Sequence, residues 1–436
     1  MEPWLIGVLG FVALFVLLAI GMHIAFAMTI VAFVGFAVVT SFEGAVSMLA
    51  TAPYSIVANY MFTVVPLFVL MGSLAYQGGL ITDAYTAAQK WLGRLPGGLA
   101  MATIAGCAGF AACTGSSAAS VSFMTMSTLP EMERHNYDPK LATGTIATGA
   151  TLGILIPPSI PLIVYGLFAE QSVGRLFIAG IIPGIVLATL FMITIYIWVK
   201  IKPSAGPRGA ATTWQEKFYS LRYIWSMLVL AAIVLGGIWG GIFTPVEAGG
   251  IGSVGALLIS LIRRKLTVKS FFESVKDTTR ICGMVFIILI GAIMLNYFFA
   301  LTRLPTMLAT TVADSNLSPL VVLIVITVFY IIGGCLMDTF GLMMLTLPIL
   351  IPIMNVLGID MIMYGILMVL LIEMAQITPP IGLNVFILSG VARHIPMYTI
   401  FRGIVPFFFA ILVMIILLIA FPQLATFLPA TMMEGS

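Results

Sequence analysis

Apolar runs long enough to cross a bilayer recur from Trp4 to Phe427 with few charges inside them. Hydrophobic residues make up 61% of the chain and charged residues 8%, whereas a water-soluble domain carries roughly a quarter charged residues. Lipid, not water, is the main solvent of such a chain. No stretch is polar enough for a soluble domain, so the reading is one all-α polytopic membrane domain. The first run, Trp4 to Ile20, has no basic residue before it and no small-residue cleavage site after it. It is expected to span the membrane and not to act as a removable signal. Cys107, Cys113, Cys282 and Cys335 lie inside apolar segments without paired spacing, which supports neither a disulfide framework nor a zinc site.

Runs of about 20 residues predict helices near 4–20, 25–40, 61–77, 176–198, 222–240, 247–262, 281–300 and 401–427. Two further stretches, 97–168 and 319–391, are apolar but interrupted by Gly, Pro, Ser, Thr and one Asp. They match without a gap at one constant offset: Pro130 falls on Pro352, Asp138 on Asp360, and Pro157-Pro158 on Pro379-Pro380. With small slips, Pro96 pairs with Pro319 and Pro183 with Pro406. The chain therefore reads as a duplication. The first repeat is 1–200, with a hairpin at about 97–129, and the second is 222–436, with a hairpin at about 319–351. Residues 201–221 form a polar linker between them.

Five crossings and one re-entrant hairpin per half make about ten transmembrane helices plus two hairpins, and an odd count inverts the second half. In that arrangement all the basic residues except Arg175 and Arg303 fall on one side. The positive-inside rule makes that side cytoplasmic and puts both termini outside. Residues 41–60 and 267–279, equivalent in the two halves, read as helices lying in the interface.

Backbone NH and CO groups must be satisfied within lipid, so opened helices at depth survive only around a protein-lined or wet cavity. Thr114 to Ser117 and Gly333 to Thr339 read as hairpin tips, and Gly153 to Pro158 and Gln376 to Pro380 as breaks facing them. Carbonyls and hydroxyls suit a hard cation such as sodium. Thr114, Ser116, Ser117, Gly153, Ile156 and Pro158 make one candidate cation site, and Gly333, Leu336, Asp338, Thr339, Ala375, Thr378 and Pro380 make its counterpart. Between them Ser116, Ser117, Ser120, Pro157, Asp338, Thr339, Pro379 and Asn384 are the candidate substrate-binding set. Helix N-termini pointing inward from the tips favour an anion, hence an organic acid.

Taken alone, Thr-Gly-Ser-Ser is also a small-residue helix contact and Pro-Pro a simple kink. Their recurrence at matched positions in both halves favours the functional reading. Asp338, Glu373 and Glu247 are ionisable groups in apolar surroundings, with Asp338 favoured as functional and the two glutamates also readable as partners of a neighbouring helix. His23, His135 and His394 lie near turns without ligand spacing.

The stretches Thr114-Gly-Ser-Ser-Ala-Ala-Ser, Pro130-Glu-Met-Glu-Arg-His-Asn-Tyr-Asp-Pro139, Leu152-Gly-Ile-Leu-Ile-Pro-Pro-Ser-Ile160 and Ile377-Thr-Pro-Pro-Ile-Gly-Leu-Asn384 together resemble the large membrane subunit of tripartite ATP-independent periplasmic (TRAP) transporters. The resemblance covers nearly the whole chain. It implies an elevator-type fold of the ion transporter superfamily, with a scaffold and a mobile transport domain, in the bacterial inner membrane. It also implies sodium-coupled uptake of an organic acid such as sialic acid or a C4-dicarboxylate. The acid would be delivered by a periplasmic binding protein, and a small membrane subunit of about four helices would accompany this chain. No cofactor beyond the coupling ion and no nucleic-acid partner is implied. Ala111 departs from the pattern where such proteins often carry serine, leaving only its backbone carbonyl as a ligand.

No phosphate-binding loop of the Walker type is present, so an ion gradient or a partner must drive transport. The nearest rival is a stand-alone sodium and dicarboxylate symporter. An intramembrane enzyme lacks a nucleophile and base pair in the sequence.

Overall fold

The computed structural model describes residues 2–114, 117–209, 212–315, 317–334, 337–380 and 382–432, and of Ile81 and residues 111–114 the backbone alone. Among these residues the regular structure is entirely helical. The first part comprises α1 (Pro3–Ala19), α2 (Ile24–Val39), α3 (Phe42–Val57), α4 (Val64–Gln77), α5 (Leu80–Leu92), α6 (Gly98–Thr114) and α7 (Ser117–Arg134). Next come α8 (Pro139–Gly149), α9 (Leu152–Leu155), α10 (Ile160–Phe168), α11 (Val173–Ile201), α12 (Trp214–Trp239), α13 (Pro245–Ile262) and α14 (Val268–Thr302). The chain ends with α15 (Leu304–Asp314), α16 (Pro319–Gly333), α17 (Thr339–Val356), α18 (Met361–Ile377), α19 (Leu383–Val391), α20 (Met397–Ala420) and α21 (Gln423–Ala430). Among the described residues, seven helices are long and apolar enough to cross a membrane, or eight if Pro139–Leu155 and Ile160–Phe168, bent by 42°, count as one span.

Many starts are set by short polar side chains that accept first-turn N–H groups, which in lipid would otherwise stay unpaired. Asp138, Ser159, Ser172, Ser318, Asp338 and Asp360 cap α8, α10, α11, α16, α17 and α18. Full capping boxes open α12 (Thr213 with Glu216) and α13 (Thr244 with Glu247). Glu247 thus serves its own helix, not a neighbouring one.

The centre is α18, buried without interruption from Ile362 to Ile377, and α8, packed against α20, is likewise buried from Leu141 to Gly149. Backbone meets backbone between α8 and α20: a Cβ on Gly144 would lie 2.3 Å from the Gly403 carbonyl oxygen, and one on Gly403 would lie 2.1 Å from that of Lys140.

Three expectations change. Residues 267–279 form no separate interfacial helix but the first turns of α14, because Thr267 caps the helix and no proline interrupts it before Thr302. Its 35 residues reach about 52 Å at 1.5 Å per residue, well beyond a hydrocarbon core of about 30 Å. The helix expected over 401–427 ends at Ala420, where Phe421, preceding Pro422, takes φ −130° and ψ 76°. The segment after α11 is shorter than 201–221, since α12 already begins at Trp214.

That connecting segment is fixed to the foot of the α6–α7 hairpin. Gly97 N–H donates to Gly206 O (2.9 Å), Asp138 N–H to Ala205 O (2.9 Å), Gly209 N–H to Gly93 O (2.9 Å) and Tyr137 OH to Pro207 O (2.9 Å). Lys202 Nζ reaches Asp138 Oδ2 at 2.7 Å.

Candidate functional site

Three interruptions of helix meet at Gln376, and a fourth lies at the end of α9. On the first side, α6 ends at Thr114 and α7 begins at Ser117, while α9 ends at Leu155 and Ile156 turns extended (φ −78°, ψ 124°) into the cis Pro157–Pro158 peptide. On the second, α16 ends at Gly333 and α17 begins at Thr339, while α18 ends at Ile377 and Thr378 turns extended (φ −91°, ψ 140°) into the cis Pro379–Pro380 peptide.

Gln376, in the last turn of α18, joins the two hairpins. Its Oε1 accepts from Ser117 Oγ at 3.0 Å, and its Nε2 donates to Thr339 Oγ1. Ser117 and Thr339 are each the first residue of a hairpin's return arm, and the offset that sets Pro130 on Pro352 also equates these two. Gln376 itself is buried. An amide offers a donor and an acceptor from one planar group, so one side chain satisfies both hydroxyls in a dry site. Close packing holds the second tip against the same helix: a Cβ on Gly334 would lie 2.2 Å from Ala375 Cβ.

Around this bridge the opened backbone is partly satisfied locally. Ser159 Oγ donates to Ile154 O (2.5 Å), Thr378 Oγ1 to Met374 O (2.5 Å), and Asp338 Oδ2 accepts from Phe340 N–H (3.2 Å). Ala375 O accepts from Thr378 N–H at 3.1 Å. Asn384, fully buried on α19, donates from Nδ2 to Ala147 O at 3.3 Å. Its Oδ1 and the Oγ of fully buried Ser120 have no hydrogen-bond partner among the described residues. Buried polar atoms without partners are uncommon and mark places where a ligand or water is accommodated.

Residues 11–424 match the family model described as "Tripartite ATP-independent periplasmic transporter, DctM component". The chain belongs to the DctM family. Relatives of this DctM chain include the C4-dicarboxylate TRAP transporter large permease protein DctM of Vibrio cholerae, 32% identical over 86% of this chain and 87% of that protein. The sialic acid TRAP transporter large permease protein SiaM of the same organism is 30% identical over 95% of this chain and 96% of that one. In fold it resembles the Alcanivorax borkumensis YdaH transporter, with a TM-score of 0.65 at 12% identity over 99% of this chain and 98% of that one. The resemblance read from the sequence motifs is borne out: the chain is a multi-pass membrane component of a bacterial TRAP transporter, and a permease and not an enzyme.

Of the residues singled out in this DctM chain, the structure gathers Ser117, Asp338, Thr339, Ala375 and Thr378 at the tips and break around Gln376. Gly153, Ile156, Pro157 and Pro158 lie at the other break, Gly333 ends α16, and Pro379 and Pro380 are exposed. Ser116 and Leu336 lie outside the described residues, as does the Thr114 side chain. Glu373 is fully buried, and neither carboxylate oxygen is hydrogen-bonded among the described residues. Among those residues no group of three or more His, Cys, Asp or Glu side chains is placed to hold a metal. His23 caps α2, His135 Nδ1 sits 2.9 Å from Glu131 O, and His394 Nε2 sits 2.6 Å from Glu133 Oε1. Gln376 is the member whose side chain the sequence reading did not single out. An amide just ahead of Thr-Pro-Pro in an otherwise apolar helix was its signal.

Proposed function

We propose that this DctM component imports an organic acid anion, a carboxylate of the sialic acid or C4-dicarboxylate kind, coupled to the downhill entry of sodium. The observation that carries this reading is the Gln376 bridge, which brings the two hairpin tips together at one broken helix. Sodium ions are bound by opened backbone and hydroxyls: Thr114, Ser116, Ser117, Gly153 and Ile156 on one side, and Leu336, Asp338, Thr339, Ala375 and Thr378 on the other. The acid sits between them, where the bare oxygens of Ser120 and Asn384 are buried and where helix starts at Ser117 and Thr339 favour negative charge.

The two halves, 1–200 and 222–436, are inverted copies with both termini periplasmic, and the α6–α10 and α16–α19 segments move together against the remaining helices in an elevator fashion. The gap-free sequence match between 97–168 and 319–391 supports this division. A periplasmic binding protein delivers the acid, and a small membrane subunit of about four helices completes the scaffold. Liposomes holding the chain and its small subunit, given the loaded binding protein outside, should take up labelled sialate or succinate only with an inward sodium gradient. Equal uptake with potassium replacing sodium would reject the coupling.

A further inference from the structure

Away from the tips, the groove between the end of α4 and the early turns of α14 has a charge pattern that transport does not use. It encloses about 720 Å³ and is lined by Gln77, Glu273, Lys276, Asp277, Thr279 and Arg280. Glu273 and Asp277 are four residues apart on one ridge of α14, and Lys276 and Arg280 four apart on the adjacent ridge. All four are exposed, and among the described residues none forms an ion pair. Two like-charged neighbours of each sign, left open side by side, complement a ligand that carries both signs.

The depth of the groove identifies what meets it. After Arg280 the next charged residue is Arg303, so residues 281–302 are the apolar crossing and Arg280 marks its boundary. On the same side of α14, Met284 (43%) and Ile287 (45%) remain exposed, and a Cβ on Gly283 would meet nothing within 4 Å. A charged groove at the boundary therefore continues into a lipid-facing apolar stripe about 10 Å long.

We propose that this groove seats the phosphoethanolamine headgroup of a phospholipid. The phosphate lies on Lys276 and Arg280, the ammonium on Glu273 and Asp277, and an acyl chain runs along Gly283, Met284 and Ile287. A purely anionic headgroup leaves the two carboxylates facing its phosphate, which is why the zwitterion is preferred. The site is independent of the coupling ion.

Native mass spectrometry of the purified full-length chain, with phosphatidylethanolamine and phosphatidylglycerol added in competition, tests it. The wild type should retain phosphatidylethanolamine with roughly tenfold preference, the effect of one charge-assisted contact. Glu273→Gln with Asp277→Asn should shift the preference to phosphatidylglycerol, and Lys276→Gln with Arg280→Gln should lose both lipids. The single variant Asp277→Asn, with its melting temperature, covers loss of fold in the double variant. Equal retention of the two lipids by the wild type, no retention, or unchanged preference in the variants would overturn the assignment.

Discussion

Ser117 Oγ lies 3.0 Å from Gln376 Oε1, a hydrogen bond across 259 residues of sequence that ties the start of one hairpin's return arm to the last turn of α18. The same amide holds Thr339 in the other hairpin. Gln376→Leu keeps the volume and removes both bonds, leaving two hydroxyls without their partner at about 1–3 kcal/mol each. Sodium-driven uptake should fall at least about tenfold and the melting temperature should drop. Wild-type uptake by this variant in liposomes would show that the bridge is incidental.

Ser120 behaves in the opposite way in the free protein. The Ser120 hydroxyl is buried without a partner among the described residues, so Ser120→Ala removes an unsatisfied group and should leave stability equal or higher by up to about 1 kcal/mol. If the hydroxyl meets substrate, KM for the acid should rise several-fold. A melting curve combined with uptake kinetics separates the two effects, and a large loss of stability would contradict the account.

At the contact of α8 with α20, Gly403→Ala forces a methyl against the Lys140 carbonyl. Overpacking of this kind costs about 1–3 kcal/mol. Thermal denaturation should show Gly403→Ala well below wild type, whereas Gly390→Ala, where a Cβ meets nothing within 4 Å, should match it.

Asp138 gives a pH dependence whose sign is fixed. Partial burial pushes its carboxyl up, but the hydrogen bonds from Lys202 and from Lys140 N–H, together with both lysine charges, outweigh this and leave it below the ordinary carboxylate range. Its stabilisation is therefore complete above the unfolded value of about 3.9 and is lost as pH falls through the lower folded value. Asn also caps helices, so the stability gap between wild type and Asp138→Asn should stay constant from about pH 8 to about pH 5 and close below about pH 4. A gap unchanged at low pH would mean that the ion pair with Lys202 contributes nothing.

The tips and breaks were legible because glycine, proline and hydroxyl residues inside apolar runs leave few other solutions. Helix starts were less so. Counting apolar residues begins α12 at Arg222, whereas Thr213 and Glu216 start it at Trp214 through a capping box visible as Thr-x-x-Glu. The same signature at Thr244 and Glu247 explains an acidic residue that apolar surroundings alone mark as functional. The length of α14 was hidden because charges at 269–280 interrupt hydropathy but not helix. Gln376 was obscured because the residue that bonds both tips has no polar equivalent in the matching stretch 97–168, where Ile154 stands at the same offset.

The hydrogen bonds from Gly97, Tyr137 and Asp138 to residues 205–207 make the segment between α11 and α12 a strap and not a slack tether. Lengthening it by insertion between Lys202 and Gly209 would slacken the strap and free the hairpin's foot, while the same insertion at the Thr431 end would leave that foot untouched. Any displacement of the α6–α7 hairpin must either carry the strap with it or peel it away, so this connection bears on how far that hairpin can move alone.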